Sequence, residues 1–190
     1  TNGEVTNNAV EYAAIAAVAG AGAGDVTITA SGVVSNTGLG EESAGIYAQT
    51  VDSDISITLE QNASVSSSYS GGIVAYSDAS SITITATDGS IEGGYIGVGA
   101  GISTQPDALA PDENDSINIS VSDVTGGSTG VYAANSGPGS VNITATGEVT
   151  GTADAGIVGR AGGDVTITIA EGGSVLPALR RFAELDFFRA

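Results

Sequence analysis

The sequence predicts an all-β fold: a right-handed, single-stranded parallel β-helix with three short strands in each of about six rungs. Three observations predict it. A three-part pattern of apolar segments recurs six times, polar and apolar residues alternate within each part, and Gly, Ser, Asn and Asp separate the parts. No run through the middle of the chain has the length and periodicity of a helix. The strands are therefore expected to stack on their counterparts in neighbouring repeats.

Each part of the pattern contains one apolar marker residue, and the markers form three ladders that advance along the chain together. The first ladder consists of Ile15, Ile46, Ile73, Val98, Val131 and Ile157. The second consists of Val26, Ile55, Ile82, Ile117, Val141 and Val165. The third consists of Val5, Val34, Val65, Ile91, Val124, Val149 and Val175. At the usual spacing of neighbouring strands, such rungs would form a stack on the order of 30 Å long.

The alternation inside each part is typical of half-buried strands. In the run from Val165 to Ile169, the aliphatic residues are predicted to face inward and the two threonines outward. The longest spacing in each ladder includes or adjoins residues 105–115, whose polar, Pro-containing sequence predicts a loop that leaves one rung. The predicted β-helix comprises residues 1–176.

The two ends of such a stack would expose unpaired strand edges, which generally require caps. Residues 177–190 contain all three Phe of the chain, and Leu179, Phe182 and Phe187 recur near helical spacing. This predicts a short amphipathic helix that caps the last rung, with an unstructured tail as the alternative. Residues 8–18 have two interpretations. Their register with later repeats favours a rung, whereas Asn8 and Glu11 resemble the capping box of an Ala-rich helix.

The composition restricts the partners. The chain has a net charge of -18, contains no Lys, and has one Arg, Arg160, before residue 177. Nucleic acids and anionic membrane surfaces are not expected as partners, because both attract basic patches. No apolar stretch approaches the length of a membrane span, and the absence of Cys excludes disulfides and thiolate metal sites. We expect no cofactor and no resident metal ion.

Outward positions of the second strand of each repeat form a two-column polar ladder. Its members are Thr27, Thr29, Ser56, Thr58, Thr83, Thr85, Asn118, Ser120, Asn142, Thr144, Thr166 and Thr168. One interpretation is purely structural, since Thr suits exposed strands and Asn residues stack by hydrogen bonding. Two others are lateral pairing with another copy of the chain and binding to ice, although Ser and Asn interrupt the threonine array at half of the rungs.

Two further columns follow from the same register. Outward positions of the first strand include Tyr47, Val74, Tyr132 and Val158, an apolar stripe that could contact a partner or be covered by the adjacent turns. The residues before the second strand are Asp25, Asp54, Ser81, Ser116, Ser140 and Asp164. Asp and Ser at a recurring corner are expected to bond their own backbone and fix the turn.

Catalytic chemistry is poorly represented. The absence of His, Cys and Lys removes the commonest general bases and nucleophiles. A glycosidase would require two carboxylates across a cleft. The candidates are Glu41 with Glu42, which point in different directions if the segment is extended, Asp52 with Asp54, and Asp112, Glu113 and Asp115. No calcium-binding repeat or EF-hand spacing is present. We therefore predict no enzyme activity, and no catalytic residue is assigned.

The segments 44–48 (AGIYA), 71–75 (GGIVA), 147–151 (GEVTG) and 165–168 (VTIT) resemble the passenger repeats of bacterial autotransporters and related β-helical adhesins. This resemblance extends over about residues 3–176. It implies a non-enzymatic module of a longer exported protein, extracellular or on the bacterial surface. Adhesion, self-association or a spacer role would follow, with another copy, a host-surface protein or a glycan as partner. The alternative is a carbohydrate-active enzyme or carbohydrate-binding solenoid.

Overall fold

A computed structural model of the protein describes residues 3–8, 12–103, 114–176 and the backbone of 180–183. These residues form strands and turns, and no helix occurs among them. The strands in chain order are β1 Val5–Asn7, β2 Ile15–Ala19, β3 Val26–Ala30, β4 Val33–Asn36, β5 Ile46–Thr50, β6 Ile55–Leu59, β7 Ser64–Ser67, β8 Gly71–Ser77, β9 Ile82–Gly93, β10 Ile96–Ile102, β11 Ile117–Gly126, β12 Thr129–Asn135, β13 Val141–Ala145, β14 Glu148–Gly151, β15 Ile157–Ala161, β16 Val165–Ile169, β17 Ser174–Leu176 and β18 Arg180–Ala183.

The strands stack as a parallel β-solenoid with three faces. The first strands of the rungs form a seven-stranded sheet, in the order β2, β5, β8, β10, β12, β15 and β18. The second and third strands form an eleven-stranded sheet, because β9 and β11 each supply both a second and a third strand. Successive rungs pair in parallel throughout, as a single winding chain requires.

The three predicted ladders are confirmed residue by residue. In the first, Ile46 pairs with Ile73 and Ile73 with Val98. The second and third follow the same rule: Ile55 aligns with Ile82, and Val65 with Ile91. The register holds because only aligned rungs place aliphatic side chains inside and polar side chains outside at every level.

The interior consists of stacked aliphatic columns. In the middle rungs, marker residues such as Ile46, Ile73 and Ile82 are fully buried, and each contributes about 1.5–3 kcal/mol through removal from water. The markers of the outermost rungs, Ile15 and Val165, are only partly buried because one side lacks a neighbouring rung.

A column of glycines stands at the corner where each turn enters the first strand. It consists of Gly45, Gly72, Gly97, Gly130 and Gly156. At Gly97, a Cβ would overlap the Val124 side chain and would lie 2.6 Å from the Gly130 carbonyl oxygen. The corner therefore leaves no room for a side chain, which explains the glycine before each aliphatic marker in these repeats.

The described segments at the two ends of the solenoid are strands and not helices. Ile15–Ala19 form a strand that pairs with β5, so the rung interpretation holds for the described part of residues 8–18. The predicted C-terminal helix is not supported: Arg180–Ala183 form strand β18, with Phe182 aligned to Arg160. The exposed edge of β15 offers backbone hydrogen-bonding groups, which a further strand satisfies and a helix would not. Leu179 and Phe187, like residues 104–113 of the predicted loop, lie outside the described residues.

Candidate interaction surface

All six tyrosines of the chain lie on one face of the solenoid. This tyrosine face consists of the outer surface of the first strands and of the turns that enter them. Its tyrosines are Tyr12, Tyr47, Tyr69, Tyr76, Tyr95 and Tyr132. Tyr12, Tyr69, Tyr76 and Tyr95 are each about half exposed or more, with exposed fractions of 68%, 48%, 48% and 61%. Such clustering of amphipathic rings is typical of contact surfaces.

Strands position three of these rings. Tyr47, Tyr76 and Tyr132 occupy outward positions of β5, β8 and β12, between buried neighbours. The ring centroids of Tyr47 and Tyr76 are 6.3 Å apart with the ring planes tilted by 59°. The Tyr47 hydroxyl donates a hydrogen bond to Gln49 Oε1 over 2.8 Å, which fixes that ring.

Turns position the other three tyrosines. The buried Asn36 side chain donates hydrogen bonds to the carbonyls of Tyr12 (2.6 Å) and Ala44 (3.0 Å). Ser67 accepts the N–H of Ser70 over 3.1 Å and thereby closes the turn that carries Tyr69. The next turn is held by the N–H of Tyr95, which donates to the Ser70 carbonyl over 3.0 Å.

The rings border a central cleft of about 340 Å³. Its walls are Tyr47, Tyr76 and Tyr95, and small outward residues, chiefly Val74 and Gly99, form its floor. Glu41 and Glu42, on the turn before β5, line the same cleft. Tyr47, Val74, Gly99 and Tyr132 follow one another in a single outward column. The depression forms where the small residues Val74 and Gly99 interrupt the tyrosines.

Recesses continue from the central cleft along the tyrosine face. One lies between Tyr69 and Tyr95, and another between Tyr12 and Tyr47. A third lies beside Tyr95, where the Arg160 guanidinium carbon is 5.7 Å from the centroid of the Tyr132 ring. The tyrosine face is therefore a continuous, uneven groove rather than a single pocket.

The environment of the cleft favours neutral phenols. Burial raises the pKa of Tyr47, and the neighbouring Tyr76 and Glu42 raise it further. Burial also raises the pKa of Tyr76, with a further contribution from Tyr132. Both hydroxyls accordingly remain protonated at neutral pH, and that of Tyr47 donates its proton to Gln49.

The predicted apolar stripe lies on this face. Tyr47, Val74 and Tyr132 are partly exposed, whereas Val158 is only 4% exposed. The sequence analysis did not single out Tyr12, Tyr69, Tyr76 and Tyr95. Tyr76 could have been found from strand parity, because it lies two residues after Val74; the other three lie in turns, where periodicity gives no direction.

The polar ladder lies on a different face, formed by the second strands. Its registers are as predicted, with Thr58 beside Thr85 and Asn118 beside Asn142. The Asn142 side-chain amide donates to Asn118 Oδ1 over 3.1 Å and to Ser140 Oγ over 3.2 Å. The asparagine part of the ladder thus uses hydrogen bonds within the stack.

The predicted corner column has a different bonding pattern from the expected one. The N–H of Asp54 donates to the Asp25 carboxylate over 3.2 Å, and the N–H of Ser81 donates to the Asp54 carboxylate over 3.0 Å. The N–H of Ser116 donates to the Ser81 hydroxyl over 3.0 Å. These side chains therefore bond the backbone of the next rung rather than their own, because in-register stacking brings that N–H within reach.

The acidic residues do not assemble a metal site within the described residues, where no group of three or more His, Cys, Asp or Glu could hold an ion. Asp52 accepts the N–H of Gly22 at 2.9 and 3.0 Å, a structural contact. Glu41 and Glu42 lie in a turn rather than in an extended segment, and both line the central cleft. Asp112 and Glu113 lie outside the described residues.

In the part of the chain that the structure describes, no helix has the length and apolar character of a membrane span. No protein-family profile matches the chain, and no curated protein or solved structure matches it either.

Proposed function

We propose that this chain is a non-enzymatic adhesion module of an exported surface protein, similar to the passenger region of autotransporters, and that the tyrosine face is its contact surface. The observation that carries the proposal is the placement of all six tyrosines on one face of three. A structural spacer needs no such asymmetry, because the interior is equally well packed behind each face. Exposed aromatic residues are the usual anchors of binding energy at protein surfaces.

A binding role fits the chemistry better than a catalytic role. The chain has no His, Cys or Lys. Two acidic groups at the rung corners, Asp52 and Asp54, accept backbone N–H groups and thereby stabilise turns. A hydrolytic site would need an acid of raised pKa opposite a second carboxylate.

Self-association is the second candidate, and a different observation favours it. The polar ladder presents regular columns of hydroxyl and amide groups, such as Thr27 and Thr29 at one end and Thr166 and Thr168 at the other. Side chains of this kind could pair with the same ladder of a second copy. A solenoid with these two faces would attach through one and associate through the other, in an extracellular or cell-surface location.

The proposal can be tested by displaying the whole chain on the surface of a non-adherent bacterium. Cells that display it should attach to host cells or to one another more strongly than cells without it. The double variant Tyr76→Ser with Tyr95→Ser should lose attachment, because it removes two cleft walls. The matched control is Thr58→Ala with Thr85→Ala on the polar ladder, which should retain attachment and lose only self-association.

Two results would contradict the proposal. If displaying cells neither attach nor aggregate, a spacer role remains. If the purified chain cleaves members of a polysaccharide panel and Glu41→Gln with Glu42→Gln abolishes cleavage, the chain is a carbohydrate-active enzyme instead.

A further inference from the structure

We infer that the central cleft binds a guanidinium group, presented by an arginine-containing basic segment of the partner protein. The inference rests on the proposed binding function and specifies its partner. The cleft combines aromatic walls with a carboxylate rim, the two features that favour a planar cation.

The aromatic walls of the cleft have a geometry that suits a planar cation. Tyr47 and Tyr76 are tilted by 59° with centroids 6.3 Å apart, and Tyr95 forms a further wall of the same cleft. The faces of phenol rings carry negative charge density, which attracts a cation within about 6 Å of the ring centre. Because burial keeps the Tyr76 phenol neutral, its hydroxyl can also donate a hydrogen bond to the backbone of a bound peptide, whereas the Tyr47 hydroxyl donates to Gln49.

Glu41 and Glu42 form the carboxylate rim of the cleft. Both are exposed, and neither side chain accepts a hydrogen bond or forms an ion pair among the described residues. They differ in this respect from Asp25, Asp52 and Asp54, which accept backbone N–H groups. Glu42 lies close enough to Tyr47 to affect its pKa, so its charge acts inside the cleft. Two carboxylates beside a tilted pair of rings suit the forked donors of guanidinium.

The chain itself provides an internal precedent on the same face. The guanidinium carbon of Arg160, the one basic residue before residue 177, lies 5.7 Å from the centroid of the Tyr132 ring. Tyr132 occupies the same outward column as Tyr47, three rungs away. An arginine from a partner would make in the central cleft the contact that Arg160 makes in the separate recess beside Tyr132.

The net charge of -18 favours a basic partner over the other candidates. It would attract cationic segments at long range and repel anionic glycans. A neutral glycan could stack on the tyrosines and donate hydroxyl hydrogen bonds to Glu41 and Glu42, but it carries no charge for the net charge of the chain to attract. This difference separates the two partners by experiment.

The experiment titrates the whole purified chain into a fluorescent Gly/Ser peptide that carries three arginines, with fluorescence anisotropy as the readout. A matched peptide carries citrulline, which has the shape of arginine without its charge. A neutral oligosaccharide, chitohexaose, is tested by calorimetry. We expect the arginine peptide to bind at least about tenfold more tightly than the citrulline peptide, because the ring and carboxylate attractions require charge.

Two variants locate the binding. Glu41→Gln with Glu42→Gln should weaken arginine-peptide binding about tenfold, as should Gly99→Val, which fills the cleft floor. A Cβ at Gly99 meets nothing closer than 3.7 Å, so the fold should accept the larger side chain. The matched controls are Glu60→Gln with Glu171→Gln, two exposed turn residues, and Ser120→Val on the polar ladder; each should change binding less than about twofold.

Each other outcome overturns the inference. Equal weakening by the two pairs of Glu→Gln substitutions would mean that only overall charge attracts the peptide. Binding of chitohexaose that Gly99→Val abolishes, with no preference for the arginine peptide over the citrulline peptide, would assign the cleft to a glycan. No binding of the arginine peptide, together with attachment that still depends on Tyr76 and Tyr95, would leave the adhesion function standing and remove its basic partner.

Discussion

The tyrosine face and the polar ladder are built on the same interior and differ only outside. Behind both, fully buried aliphatic residues such as Ile73 and Ile84 repeat from rung to rung. On the ladder, Thr, Ser and Asn of similar size repeat at neighbouring levels, and Asn142 bonds Asn118. On the tyrosine face, Tyr, Val and Gly succeed one another in one column.

This difference shows how a stacked fold distributes its constraints. Inward positions must repeat, because each side chain packs against its equivalents above and below. Outward positions can vary at a smaller cost, because only some of them, such as Asn142, bond neighbouring rungs. A regular outer column therefore follows from the repeat, whereas an irregular one, with Gly99 among tyrosines, forms a shaped surface that the stack does not require.

The largest expected effect is a loss of stability when the interior is truncated, and it should be equal behind the two faces. Ile73→Ala removes a buried side chain behind the tyrosine face, and Ile84→Ala removes one behind the second-strand face. Both should lower the free energy of unfolding by about 2–5 kcal/mol, through lost burial and the cavity left behind. Urea denaturation followed by circular dichroism measures this. A cost for only one of the two would mean that the faces differ in their packing as well as in their surfaces.

The next largest effect distinguishes two glycines on one strand. Gly97→Ala should cost about 1–3 kcal/mol, because its Cβ would overlap Val124 and the Gly130 carbonyl. Gly99→Ala should change stability by less than about 0.5 kcal/mol, because its Cβ has ordinary contacts. Melting temperatures of the two variants provide the comparison. Equal costs would show that the corner glycine is not sterically required.

Sequence reasoning predicted the interior of this fold and little of its surface. The three ladders were found at the right residues because burial imposes a period of two and the repeat imposes identity between rungs. Their registers are confirmed from Val5 and Val34 at one end to Val149 and Val175 at the other.

The sequence did not correctly predict the structure of the C-terminal segment, and it did not predict the central cleft. The spacing of Phe182 and its neighbours is compatible with a helix, but strand β18 continues the first-strand sheet because the edge of β15 offers it partners. The cleft depends on the direction of turn side chains such as Glu41, Glu42 and Tyr95. No periodic pattern fixes the direction of a side chain in a turn. The spacing of the six tyrosines in the sequence therefore does not indicate that they share one face.

A smaller effect on stability distinguishes a hydrogen-bonded residue of the polar ladder from an exposed tyrosine. Asn142→Ala should lower the free energy of unfolding by about 0.5–1.5 kcal/mol, because Asn118 Oδ1 and Ser140 Oγ each lose a donor. Tyr95→Ser removes a larger side chain, but that side chain is 61% exposed, so the cost should stay below about 0.5 kcal/mol. Chemical denaturation of both variants tests the order. A reversed order would indicate that Tyr95 stabilises the fold rather than contacting a partner.

The smallest effect concerns alkaline pH. The pKa values of Tyr47 and Tyr76 in the folded chain lie above the ordinary value of 10.0, so the unfolded chain loses these protons first. Their contribution to stability is complete below pH 10.0 and is lost as pH rises through the raised values. Tyr47→Phe with Tyr76→Phe should make the loss of stability above that pH shallower, as measured by urea midpoints along a pH series. An unchanged slope would place both hydroxyls in bulk water.

The most direct test of the central claim is tyrosine-selective chemical labelling of the displayed chain, read by mass spectrometry before and after attachment to its target cells. The tyrosine face predicts that Tyr69, Tyr76 and Tyr95, all exposed in the free chain, are labelled before attachment and protected after it. Unchanged labelling of these three tyrosines on attached cells would contradict the assignment of this face as the contact surface.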